Sequence, residues 1–345
     1  MHSSADDLDG ELRELLGSRI SELGLSLRDS PVEQLVAQLY VELERKGVRY
    51  HPPVYLSDEW GCPEGTPLIG IPFYLADPRL SRIEQRMAME VEGETEIIKI
   101  LRHEAGHAIN YAYRLHDRAD WRQTFGPYSR PYRDRFRADP FSRSYVRHLP
   151  GWYAQKHPDE DFAETFAVWM TPGIDWRALY EGWEALQKLD YVDSVLGELG
   201  SIAAPIAPAP GEHDVPVEVM HYTVAEHYRE CTAPVPVEDE RHFDGDLRTL
   251  FAAELEAPGG ESAAAFLHRH RREIVTRIAY WTGENAPVVR TFLDLLSGRA
   301  EALGLRVRGL EASTLIEVTA FGTAVMMNHR YTDAMDPTAR GRPEE

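Results

Sequence analysis

The sequence predicts an α+β fold: a first region with a capped helix, two short strands and two long helices, then a mostly helical C-terminal region. Three observations carry that prediction. Apolar residues recur at helical spacing through 94–114 and 158–170. Two stretches rich in β-branched and aromatic residues lie between positions 48 and 77. A segment with four prolines in fourteen residues, 203–216, separates two helix-rich parts. The organisation expected is a first domain over 1–202, a Pro-rich linker over 203–216, a mostly helical region over 217–331 and a disordered tail over 332–345.

Residues 30–47 read as a helix, with Ser30 as N-cap, Pro31 at the first position, Glu33 completing a capping box and Gly47 as the stop. "VRYHPPVYLS" and "TPLIGIPFYLAD" read as strands, either a hairpin or neighbours, across the turn-rich "DEWGCPEG". Pro72 makes the second an edge strand, either an ordinary sheet margin or a template for strand addition by an extended peptide. Helices follow over Glu94 to about Arg114 and over Pro158–Met170. The second has proline at its first position, three acids in its first turn and Pro172 beyond its end. Further helices are expected over 175–199, Ser262–Trp281 and Pro287–Leu303, the last two stopped by Gly283 and Gly304.

Composition narrows the function classes. Of 345 residues, 43% are hydrophobic and 27% charged, the balance of a folded globular chain. A formal net charge of -20 repels phosphate backbones, so neither nucleic acid nor an anionic membrane surface is expected as a partner. The N-terminus lacks a signal-peptide pattern and no apolar run approaches membrane-spanning length, so a soluble cytoplasmic protein is expected. With only Cys62 and Cys231 there is no disulfide framework beyond a single bridge, and any metal must be held by His, Asp or Glu.

"LRHEAGHAINYAY", 101–113, places His103 and His107 four apart on one helix, so both imidazoles face one side and can share an ion, while Glu104, one step round, reaches a water on it. Gly106 costs about 1 kcal/mol relative to alanine in a helix interior, which points to a neighbour packed too closely for a methyl group. Catalytic zinc needs a third protein ligand and an open position. Candidates lie in "GWYAQKHPDEDFAETFAVWM", 151–170, where Glu160 and Glu164 share a face and Phe162, Phe166 and Trp169 line the other. The simpler reading of Asp159, Glu160 and Asp161 is that they complement the helix dipole.

The motif HExxH followed by a glutamate-bearing helix resembles the gluzincins, the thermolysin-like metallopeptidases. More narrowly, "DEDFAETF", with a tyrosine seven residues ahead of Glu160, is similar to the catalytic domain of anthrax lethal factor and to the Mlc titration factor A peptidases. The likeness covers about residues 95–170, and the flanks are similar at best to bacterial zinc-binding metallopeptidase families. The resemblance implies a zincin-like catalytic domain, with His103, His107 and Glu160 as zinc ligands and Glu104 as general base. It also implies Tyr153 as hydrogen-bond donor to the developing oxyanion and Glu164 as the partner behind His103. The sequence departs from the pattern in two ways: Asp161 stands where the family has an aromatic, and "AETFA" at 163–167 also fits the glutamate motif. Glu164 therefore remains an alternative third ligand, although only Glu160 gives Tyr153 the family spacing.

The function expected is zinc-dependent peptide-bond hydrolysis, with a zinc-bound water activated by Glu104. The alternatives are a zinc hydrolase of another amide or small peptide-like metabolite, and a non-catalytic zincin-fold binding protein. Segment 117–149 holds eight arginines against four aspartates, with aromatics interleaved. It either recognises an acidic or carboxylate-bearing peptide or protein substrate through arginine forks, or is a loop pinned by ion pairs and cation–π contacts. His148 and His157 flank Tyr153 as candidate oxyanion helpers, whereas His268 and His270, two apart, read as solvated surface.

Overall fold

A computed structural model describes residues 10–87, 92–133, 136–208, 213–230, 241–284 and 286–335. It is helix-rich, with two small two-stranded sheets among the described residues, consistent with an α+β chain. Contacts divide it into two compact units, one running to His227 and the other beginning at Tyr228. The described parts of the proline-rich stretch read as a linker, 203–208 and 213–216, belong to the first unit: the Ile206 amide donates to the Ala112 carbonyl and Pro216 bridges Ser57. Most of the tail expected to be disordered, 336–345, lies outside the described residues. Among the described residues no helix is long and apolar enough to cross a membrane.

The first unit runs α1 (Gly10–Gly17), α2 (Glu33–Arg45), β1 (Val54–Ser57), β2 (Ile69–Pro72), α3 (Pro78–Met87), α4 (Glu94–Ala112), α5 (Ala119–Phe125), α6 (Pro158–Met170), α7 (Trp176–Leu179) and α8 (Ala185–Leu199). Helix α9 (Val224–Glu230) spans the boundary between the units. Helix α2 starts two residues later than its sequence signature, at Glu33 instead of Pro31. The Ser30 hydroxyl turns back to the Leu27 carbonyl at 2.6 Å instead of capping, and Glu33 accepts the Asp29 amide at 2.7 Å. Gly47, at φ +79°, ends the helix in the left-handed conformation that a Cβ disfavours.

Strands β1 and β2 are neighbours but parallel, with Val54 opposite Ile69 and Ser57 opposite Pro72, so they do not form a hairpin. Gly61 bridges β2 at Gly70, which closes part of the margin that a peptide would need for strand addition. In the loop between the strands, Cys62 is a free thiol donating to the Thr66 carbonyl at 3.2 Å; Cys231 lies outside the described residues.

The two central helices are α4 and α6. Every residue of α6 is buried, as is α4 from Leu101 to Ala112. Trp121, Phe125, Phe162, Phe166 and Trp169 stack in sequence with ring centroids 5.2 to 6.4 Å apart, covering the α6 face expected as core. Each such ring removed from water contributes on the order of 2 kcal/mol. Helix α2 clamps α4 from behind through a buried two-point pair, Arg102 Nε and Nη2 to Glu42 at 2.7 and 2.8 Å. Fork geometry of this kind fixes one helix against the other.

The second unit holds α10 (Asp244–Leu250), β3 (Ala252–Ala253), α11 (Ala263–Arg269), α12 (Arg271–Thr282), α13 (Ala286–Ala302), β4 (Leu305–Arg306) and α14 (Glu311–Met335) around a core including Phe266, Ile278, Phe292 and Leu296. Strands β3 and β4 pair antiparallel. The single helix expected over Ser262–Trp281 breaks at His270. There Arg269 and His270 both reach Glu311, at 2.8 and 2.9 Å, so α11 can pack on α13 while α12 packs on α13 and α14. Gly283 and Gly304 end α12 and α13 in the left-handed conformation, as expected.

Candidate metal centre

Helices α4 and α6 approach so closely because Gly106 lets them. A Cβ at that position would lie 2.7 Å from the Ala163 Cα and 3.0 Å from its carbonyl oxygen. The glycine inside the histidine motif thus marks a helix crossing, and the crossing brings the glutamates of α6 over the histidines of α4. Helix α6 is fixed in register at its start: Pro158 takes the first position, and the His157 ring caps the Asp159 amide at 3.1 Å.

At the crossing three ligand-type atoms converge. Glu160 Oε2 lies 3.1 Å from His103 Nε2 and 3.2 Å from His107 Nε2, and the two Nε2 atoms are 3.2 Å apart. Among the described residues this is the group of His, Cys, Asp or Glu side chains able to hold a metal ion, and all three are buried. Tetrahedral zinc with bonds of about 2.0–2.1 Å separates its ligand atoms by about 3.3 Å, so the spacing matches that donor set.

The far sides of the imidazoles are held as well. His103 Nδ1 donates to Glu164 Oε1 at 2.9 Å and His107 Nδ1 donates to Asp159 Oδ2 at 2.9 Å. A carboxylate only accepts, so each Nδ1 carries its proton and each Nε2 can present a lone pair inward. Without metal, protons on the Nε2 atoms face Glu160 Oε2, and a divalent cation would take their place between the same three atoms. On this donor chemistry the residues fit a divalent metal.

The acids are themselves anchored. Asp159 accepts from Asn110 Nδ2 at 2.7 Å and from the Tyr111 hydroxyl at 2.6 Å; Glu164 Oε2 accepts the Leu149 amide at 2.9 Å and the His148 amide at 3.3 Å. The outer oxygen of Glu160, Oε1, accepts the Tyr132 hydroxyl at 2.5 Å. Tyr153 lies beside His103, with ring centroids 5.6 Å apart, and its hydroxyl joins the group formed by Glu160 and Tyr132. It is placed there by two successive left-handed residues, Gly151 (φ 75°) and Trp152 (φ 55°). That conformation costs a non-glycine residue on the order of 1 kcal/mol and is retained where position matters.

Charge states follow from these contacts. Burial opposes ionising His103, but Glu160 and Glu164 outweigh it and raise its pKa to about 9. Burial also opposes ionising His107, and Asp159 and Glu160 raise it well above its usual value. Glu160 is held well below the carboxylate range, since the histidines overcome its burial. Glu104 moves upward, because burial outweighs the pull of both histidines. Burial, with Glu104 and Asp159 nearby, pushes the Cys62 thiol up as well, so it stays protonated and the donor set is nitrogen and oxygen.

The structure thus brings His103, His107 and Glu160 to one point, puts Glu164 behind His103, and sets Glu104 and Tyr153 at its edge. Sequence reasoning missed three groups. Asp159, read as a dipole acid, is the partner of His107. Tyr111, one helical turn beyond His107, carried a faint signal for the hydroxyl that braces Asp159. Tyr132 had no signal beyond lying in an aromatic-rich loop. His148 and His157 are engaged elsewhere, with their Nε2 atoms on the Lys99 and Arg130 carbonyls at 3.0 and 2.7 Å. Much of the arginine-rich segment is pinned: Arg118 pairs with Asp120, Arg122 donates to the carbonyls of His116 and Asp117, and Arg143 and Arg147 lie over Trp183.

Residues 64–174 match the family model described as "Putative zinc-binding metallo-peptidase". The match takes in α4, α6 and the connection between them that carries Tyr132 and Tyr153. No curated protein and no solved structure matches the chain.

Proposed function

We propose that this protein is a gluzincin-type zinc metallopeptidase that hydrolyses peptide bonds, with His103, His107 and Glu160 as ligands. One observation carries the reading. With both Nδ1 atoms committed to Glu164 and Asp159, both Nε2 atoms face Glu160 Oε2 within 3.2 Å at a buried point, a nitrogen and oxygen donor set that suits a divalent cation. When bound there, zinc would act as a Lewis acid toward a substrate carbonyl and make a water acidic at neutral pH.

The chain's own residues supply the rest. Glu104 takes the proton from the attacking water and returns it to the leaving amine; the burial that raises its pKa makes it a better acceptor near neutrality. Tyr153 donates to the carbonyl oxygen as negative charge develops there, a contribution of about 3 kcal/mol for one well-aimed donor. Glu164 and Asp159 hold the imidazoles in the tautomer that points Nε2 inward. A peptide or protein is the substrate class this chemistry serves.

Metal analysis and peptide turnover test the reading together. The purified chain should carry about one zinc ion, and Glu104→Gln should retain it while turnover falls about 10²-fold or more. A chain that takes up no zinc when supplied with it, or an unimpaired Glu104→Gln variant, removes the proposal.

A further inference from the structure

Tyr132 is half exposed, yet its hydroxyl reaches a buried carboxylate oxygen. Its position is fixed from several sides. Lys156 Nζ sits 4.3 Å from the centre of its ring, and the His157 ring lies 5.4 Å away. His157 also bonds the Arg130 carbonyl, two residues earlier in the chain, while capping α6 one turn from Glu160. The loop that delivers Tyr132 is thus tied to the same helix start that delivers the glutamate.

We infer that Tyr132 is a positioning residue that keeps Glu160 a one-oxygen ligand. This rests on the zinc reading and extends it. Glu160 divides its two oxygens: Oε2 faces both Nε2 atoms, and Oε1 is engaged by the tyrosine. A free carboxylate can bind a divalent ion through both oxygens, and the second contact would take the position a reacting water needs. The Tyr132 hydroxyl holds Oε1 away from that position.

The test is Tyr132→Phe in the full chain, which keeps the ring over Lys156 and removes only the hydroxyl. Three readouts are needed: zinc affinity by competition with a chromophoric chelator, the visible spectrum of the cobalt(II)-loaded protein, and thermal unfolding without metal. The expected result is zinc affinity about 10-fold weaker. The cobalt absorption should be weakened, as higher coordination requires, and metal-free unfolding should be little changed. Equal affinity and an identical cobalt spectrum in the two proteins would overturn the inference while leaving the zinc site intact. Failure of the unmodified chain to bind zinc would remove the site and this role together.

Discussion

Gly106→Ala is the sharpest perturbation of the site that touches no ligand. The added methyl would lie 2.7 Å from the Ala163 Cα, 3.0 Å from its carbonyl oxygen and 3.2 Å from its Cβ. Carbon atoms prefer about 3.5–4.0 Å, so α4 and α6 must part by about 1 Å, because the obstructing atoms are backbone that cannot rotate away. The stability cost is moderate. Overpacking costs about 1–3 kcal/mol, and replacing glycine by alanine in a helix returns about 1, leaving a net loss of about 0–2 kcal/mol. The site suffers more, because Glu160 stands on α6 and the histidines on α4, and metal–ligand distances tolerate only about 0.2 Å. A displacement of about 1 Å should lower zinc affinity on the order of 10²-fold. Chelator competition measures the affinity, and thermal unfolding of metal-free protein measures the packing cost. Wild-type zinc affinity in a folded Gly106→Ala chain would refute the idea that this crossing sets the site.

The remaining predictions concern the same cluster. Glu160→Gln should abolish tight zinc binding, whereas Glu164→Gln and Asp159→Asn should each weaken it about 10–100-fold by loosening one imidazole; metal titration of the three variants ranks them, and the reverse order reassigns the third ligand. Without metal, stability should fall as pH rises from about 6.5 to about 9. The folded pKa of His103 is raised to about 9, so its contribution is complete below the unfolded value and lost on passing the folded one. Melting curves of metal-free protein across that range check this, and a flat profile would mean that His103 is not charged in the metal-free site.

How much of this could be read in the sequence depended on how far each feature reaches along the chain. Helix α6 was legible to the residue, because Pro158 and Pro172 bracket it and its faces separate by simple periodicity. Gly106 was legible as a close approach, but not the residue it approaches. The parallel pairing of β1 and β2 was not legible, since two short apolar runs around a turn-rich loop look the same in either direction, and only the path of residues 58–68 decides. The role of Asp159 depends on the angle at which α6 crosses α4. In sequence it is one of three first-turn acids; in space it alone of the three reaches His107 Nδ1, while Asp161 turns to Lys188 at 2.6 Å. Tyr132 belongs to a stretch with no periodicity, so its place over Glu160 could come only from the folded loop.

The contrast between Asp161 and its neighbours bears on why the centre suits a cation. Asp161, which faces away from the histidines, is neutralised by an ammonium group. Apart from the imidazoles, Asp159, Glu160 and Glu164 are held by neutral donors: the amide of Asn110, the hydroxyls of Tyr111 and Tyr132, and the main-chain amides of His148 and Leu149. An arginine or lysine in those places would hold the acids equally well but would add a fixed positive charge a few ångströms from the ion, where two like charges repel by several kcal/mol in a partly buried setting. Neutral dipoles stabilise the buried carboxylates without that repulsion, so the negative potential remains available to a divalent ion. Among the described basic residues of the intervening loop, Arg143 and Arg147 lie over Trp183 and Lys156 over the rings of Tyr132 and Tyr153. The acidity of the site therefore depends on these neutral donors as well as on the five residues of the histidine motif.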